Sequence, residues 1–206
     1  MIFLDNYFAV EFQKESEIVI EKSRFITNVF PVETEAEAKA QLDKIRKKYA
    51  DATHNCYAFV TDFGQTSRSS DDGEPSGTAG VPILEVIKNQ KLINTLVVVT
   101  RYFGGIKLGA GGLVRAYSKS ASNGLKAGGA REFFNCDKIK IKLSYDEYSL
   151  FLREIVPVVH SVLSTDYAED ITVVVSVKKL AYKPFIDKFS AIFYDKTLEN
   201  IGQEFY

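Results

Sequence analysis

Apolar residues recur along the chain in two rhythms, every second position and every third to fourth, and the switches between them mark out the elements. Ile18–Ile20 and Phe25–Val32 are rich in β-branched and aromatic residues and predict two strands, with polar Glu21–Arg24 as a hairpin turn between them. Thr34 and Glu37 have capping-box spacing, and Ala38, Leu42, Ile45 and Tyr49 then fall on one face of a helix. Lys44, Arg46, Lys47 and Lys48 complement the carbonyl end of that helix. Cys56–Val60 returns to strand character. Residues 61–80 carry so much Gly, Ser, Asp, Thr and Pro that they read as one long loop. Val81–Ile87 reads as a brief helix opened by Pro82, and Leu96–Thr100 as a strand buried on both faces. A glycine-rich loop, RYFGGIKLGAGG, leads into a helix from Leu113 to about Lys126. Its inward face would carry Leu113, Ala116, Tyr117, Ser120, Ala121 and Gly124, small enough to approach a sheet closely.

Around residues 126–136 the pattern breaks, which suggests a boundary. Beyond it, Ile139, Ile141 and Leu143 alternate as a strand should. Ser144 and Glu147 cap a helix that Pro157 ends or kinks, Val162–Tyr167 and Ile171–Val177 read as a hairpin, and Pro184 starts a second helix before a last strand. This βαββαβ order is ferredoxin-like. The expectation is therefore an α+β protein with domains at 1–132 and 133–206.

Composition adds limits. With 46% hydrophobic residues the chain has material for real cores, and a formal charge of −1 leaves any affinity for polyanions to a local patch. The start lacks a basic stretch followed by an apolar one, and no run approaches the ~18 apolar residues of a membrane span. Two distant cysteines, Cys56 and Cys136, then fit free thiols in a reducing cytoplasm, with no membrane association.

Two loops hold the candidate chemistry. Gly104–Gly112 follows a buried strand and precedes a helix, the geometry in which backbone N–H groups hold an anion, and Arg101, Lys107 and Arg115 flank it. It is neither a P-loop nor a dinucleotide fingerprint, since Val114 occupies the third glycine position after Gly109 and Gly111. Anion binding and a purely structural role stand side by side on these residues. The other loop holds Arg68, Ser70, Asp71, Asp72 and Glu74. Its carboxylates could hold a divalent ion, but acidic turns more often cap a helix or pair with cations such as Arg101 and Lys107. His54 and Cys56 share a strand face, yet Cys56 lies on the apolar side as an ordinary buried thiol. Two histidines and two separated cysteines do not make a zinc site, and no nucleophile-elbow or zinc-protease motif occurs. The chain reads as a binding protein more than an enzyme, with no catalytic residue, metal or cofactor assigned. Tyr102, Phe103 and Tyr117 lie among the cations, an interleaving that suits phosphate contact with base stacking, although Tyr117 falls on the helix's inward face.

SDDGEPSGTAGVP (70–82) and VVVTRYFGGIKLGAGGLVRAY (97–117), with KSRFI (22–26) and DATHNCYAF (51–59), resemble the signature blocks of the IMPACT/YigZ family. The resemblance covers roughly residues 15–127, and the C-terminal part is similar, more weakly, to the extra domain of bacterial members. It implies an N-terminal fold similar to the second domain of a small-subunit ribosomal protein and to domain IV of elongation factor G, and a ferredoxin-like C-terminal domain similar to domain V. Eukaryotic relatives bind a ribosome-associated activator of the kinase that senses uncharged tRNA. A dipeptidase label on some relatives finds no paired-metal ligand set here. The reading that results is an RNA- or ribosome-associated protein in translation or its regulation. Arg101, Lys107 and Arg115 take phosphates in it, the amides of Gly104, Gly105, Gly109, Gly111 and Gly112 fix position, and the acidic loop sets the conformation of its basic neighbour. The alternatives are a protein-interaction module for a translation-linked partner and a metal-assisted hydrolase using Asp71, Asp72 and Glu74.

Overall fold

The computed structural model describes residues 4–206 as an α+β chain. It divides into two compact units, Phe8–Glu132 and Phe133–Tyr206, the latter joined by the described residues up to Tyr7.

In the unit Phe8–Glu132, strands β2 (Lys14–Ile20), β3 (Ser23–Pro31), β4 (His54–Thr61), β5 (Thr66–Ser70) and β6 (Thr95–Tyr102) form one sheet in the order β2-β3-β6-β4-β5. Each neighbouring pair is antiparallel. The first part of β1 (Asn6–Val10) belongs to the other unit, while its Val10 N–H donates to Thr95 Oγ1 here. Helix α1 (Glu35–Lys48) covers one face through Ala38, Leu42 and Ile45, packed on Ile26, Phe30, Phe59, Leu96 and Val98. Helices α2 (Gly80–Asn89) and α3 (Gly109–Gly128) cover the other, where Ile83, Ile87, Leu113, Tyr117 and Leu125 meet Phe25, Val29, Cys56, Val97 and Val99. Burial on both faces explains why β6 reads as an unbroken apolar run. A Cβ at Gly124 would collide with the Thr27 side chain, so this glycine sets how closely α3 approaches the sheet.

In the other unit, β7 (Ala130–Leu143), α4 (Tyr145–Glu154), β8 (Ser161–Tyr167), β9 (Ile171–Lys178), α5 (Tyr182–Ile192) and β10 (Leu198–Phe205) follow in βαββαβ order. The strand order β10-β7-β9-β8 is that of a ferredoxin-like sheet. Ile139, Ile141, Val173 and Val175 on one face pack against Phe151, Phe185 and Phe189 of the helices. Ser144 and Glu147 form the reciprocal capping box that their spacing predicts.

The structure departs from the pattern-based reading at several points. The stretch 61–80 is not all loop: it holds a 3-10 turn at Asp62–Gly64 and the strand β5. A polar TSRSS run succeeds as a strand because it lies at the sheet edge and pairs only with β4. The β2–β3 turn is tighter than expected, with Glu21 and Lys22 alone between paired Ile20 and Ser23. Helix α2 begins at Gly80, with Pro82 in its first turn. Strand β7 starts at Ala130, inside the stretch read as a break. Helix α3 begins at Gly109, so Gly109, Gly111 and Gly112 are its first turn and not free loop. No helix among the described residues is long and apolar enough to cross a membrane.

Candidate functional site

The strand end at Arg101, the segment 103–108 and the first turn of α3 converge on the acidic loop. At the centre is Glu74, almost fully buried, whose Oε1 accepts from Arg101 Nη1 at 2.7 Å and from Tyr117 OH at 2.8 Å. Arg101 Nη2 donates to Ser23 Oγ at 3.3 Å, and the same oxygen accepts the Gly104 N–H at 3.1 Å. Arg101 lies over the Phe25 ring at 5.4 Å and against the Phe103 ring at 5.5 Å. His54 Nδ1 lies 2.8 Å from the Asp72 carbonyl oxygen, which can only accept, so Nδ1 carries the proton. Its Nε2 faces Glu74 Oε1 at 3.9 Å.

The other two carboxylates are structural. Asp71 Oδ1 accepts the N–H groups of Ala79 (3.0 Å) and Gly80 (2.8 Å), and Oδ2 accepts that of Gly77 (2.9 Å). It thereby caps α2, whose own N-cap residue, Ala79, has no side chain to do so. Partial burial raises the Asp71 carboxyl, but the donors from Gly77, Gly80 and Ala79 outweigh it and hold the pKa below the ordinary value. With the folded pKa depressed, this stabilisation is complete above the unfolded pKa of about 3.9 and is lost as pH falls through the folded value. The melting-temperature gap between the parent and Asp71→Asn should therefore be widest near neutrality and shrink below about pH 4. A gap that stays constant from neutral to acid would refute this. Asp72 Oδ2 accepts the Asn55 N–H at 2.7 Å and Oδ1 pairs with Arg46 at 3.3 Å. All three acids of the hydrolase alternative are thus engaged by protein groups. Burial, foremost, pushes the Cys56 thiol up to about 12, and Sγ donates to the Asp71 carbonyl oxygen at 2.9 Å, which makes it a core thiol.

The start of α3 is different in kind. No side chain caps it, its first turn holds no acidic residue, and the exposed Lys107 and Arg115 stand beside it. Neither cation has an ion-pair partner among the described residues. The model of the Impact N-terminal domain family matches residues 21–125, the stretch that carries every group just described. The chain belongs to this family. IMPACT family member YvyE of Bacillus subtilis is 58% identical over 123 residues, covering 59% of this chain and 57% of that protein. IMPACT family member YigZ of Escherichia coli is 43% identical over 110 residues, 52% of this chain and 54% of that protein. The matched stretch thus spans little more than half the length of these relatives. A crystal structure described as a hypothetical protein covers 98% of this chain and 100% of its own, with 27% identity and a TM-score of 0.63.

Within this IMPACT-family site the structure sorts the predicted residues. Arg101 is separated from Lys107 and Arg115: it is 5% exposed and neutralised by Glu74, whereas the other two are open to solvent. Gly104 and Gly105 lie in the loop before α3, and Gly109, Gly111 and Gly112 within it. Ser70 closes β5, its Oγ accepting the Asp72 N–H at 3.2 Å, while Arg68 lies exposed on that edge strand and donates to the Ser67 carbonyl. Of the aromatic residues, Tyr117 is core, and Tyr102 donates to Asp51 and carries Arg24 over its ring, which leaves Phe103, 48% exposed. Pattern reasoning missed Ser23, whose hydroxyl joins the β2–β3 turn to both Arg101 and Gly104. A lone serine after a turn carries no periodicity signal, and only its place in the KSRFI block points to it.

Proposed function

We propose that this chain is an RNA- or ribosome-associated member of the IMPACT family, acting in translation or its regulation through the open start of α3. The observation that carries this reading is the pair of exposed, unpaired cations Lys107 and Arg115 at an uncapped, acid-free helix start. Free N–H groups and the macrodipole favour an anion there, and Lys and Arg supply phosphate contacts that fix register without reading sequence. Lys119, one turn beyond Arg115, extends the basic edge along a groove in which Glu21 is the only acidic lining residue among those described. Arg101 acts from behind, holding Ser23 and thereby Gly104 in place, and Glu74 holds Arg101.

The test is co-sedimentation of the full chain with ribosomes and ribosomal subunits across a salt series. Pelleting should fade steeply with salt, because each neutralised phosphate releases counterions. The Lys107→Ala/Arg115→Ala variant should bind more weakly, its log–log salt slope flatter by roughly 0.7–0.9 per lost contact. These substitutions leave the buried pair intact, so folding is not in question. A variant that pellets as the parent does at every salt concentration would refute the site. No pelleting even at low salt would refute the RNA reading and leave a protein partner as the target.

A further inference from the structure

Beside the α3 start lies a cavity of about 240 Å³, walled by Pro75, Phe103, Leu108 and Leu113, with Lys107 and the paired Arg101 and Glu74 also lining it. It is smaller than the ~300–1,000 Å³ of pockets for drug-sized ligands, so it suits one planar ring and not an extended molecule. Phe103 is the distinctive wall. Its backbone N–H is fixed by Thr53 Oγ1 at 3.1 Å, Arg101 backs its ring, and the residue is still 48% exposed. A large aromatic side chain held in place, cation-backed and left open is a stacking surface. The Arg101 guanidinium behind it is paired with Glu74, and its buried Nε–H has no hydrogen-bond partner among the described residues. Lys107, exposed and unpaired, lines both this cavity and the groove that leads to Arg115 and Lys119.

We infer that this cavity accepts one unpaired nucleotide of a single-stranded nucleic acid, its base stacked on Phe103 and its backbone phosphates on Lys107 and Arg115. The inference rests on the RNA reading above and names the form of RNA that the site takes. An acidic peptide would satisfy the cations but leave the ring and the apolar walls without a planar partner. A duplex would satisfy the cations but keep its bases inside the stack.

The test is fluorescence anisotropy of the full chain with an end-labelled single-stranded RNA octamer and with an RNA hairpin duplex, each across a salt series. The parent should prefer the single strand. Phe103→Ala should weaken single-strand binding roughly 5- to 100-fold at every salt concentration, with the salt slope unchanged, because stacking releases no counterions. Phe103→Tyr should restore most of the affinity, and duplex binding should not respond to either change. Lys107→Ala/Arg115→Ala should instead flatten the slope for both ligands. If Phe103→Ala binds the single strand as the parent does while the double variant loses affinity, the nucleotide pocket is refuted and the RNA reading stands. A parent that prefers the duplex refutes the pocket likewise. If the parent binds neither RNA, the RNA reading itself falls.

Discussion

Truncating Glu74 to alanine is expected to destabilise the protein by about 3–5 kcal/mol, the range for removing one partner of a buried ion pair. The Arg101 and Glu74 side chains are only 6% and 4% exposed, so the bare guanidinium cannot recover its hydration without opening the fold. Tyr117 compounds the loss. Burial is the main cause that pushes its hydroxyl pKa up, so it stays a donor, and Glu74 Oε1 is its acceptor. Its ring is wholly buried and meets Phe25 edge-on at 5.4 Å, so a disturbance there reaches the core. Glu74→Gln keeps the shape and an acceptor but not the charge, and should cost less than the alanine. The double change Glu74→Gln/Arg101→Met should recover part of the loss, since an apolar replacement of a buried pair is often neutral. Denaturant unfolding of the parent, Glu74→Gln, Arg101→Met and the double variant gives the coupling directly. A Glu74→Ala protein within about 1 kcal/mol of the parent would mean that the pair is far better solvated than its burial indicates.

That pair also shows where sequence reasoning reaches and where it stops. The strand and helix periodicities of β3, α1, β6 and the ferredoxin-like unit are legible because one apolar face, or two, repeats along each element. Strand β5 is not, because an edge strand needs only one row of backbone hydrogen bonds and TSRSS contributes no apolar face. The start of α3 at Gly109 is hidden for the opposite reason, since GAGG has low helix propensity and is held helical by the sixteen residues after it. The acidic and basic loops can be seen from the sequence as neighbours in chemistry. Their division of labour cannot: Asp71 reaches forward eight and nine residues to cap α2, and Glu74 reaches 27 residues to Arg101. Arg101, Lys107 and Arg115 look alike as letters. Only packing separates the one consumed inside the fold from the two presented outside it.

Gly104→Ala is expected to cost about 3 kcal/mol, at the upper end of the range for an added methyl with nowhere to go. The new Cβ would fall on the carbonyl carbon and oxygen of Lys22 and the amide nitrogen of Ser23, all backbone atoms that no rotamer change can clear. Those atoms belong to the β2–β3 turn, where Glu21 (φ 46°) and Lys22 (φ 61°) both occupy the left-handed region without being glycine. The turn is already conformationally costly and cannot easily give way. Forcing the two segments apart removes the Gly104–Ser23 hydrogen bond of 3.1 Å and draws Ser23 from Arg101, so the strain feeds into the buried pair. For a chain of this length the melting temperature should fall by roughly 6–12 °C. Gly105→Ala is the control. Its Cβ meets nothing, but its φ is 84°, so its cost should be about 1–2 kcal/mol from the backbone conformation alone. Thermal melts of the two variants side by side separate the effects. A Gly104→Ala protein as stable as Gly105→Ala or more so would show that the turn yields, and that Ser23 does not rely on it to stay beside Arg101.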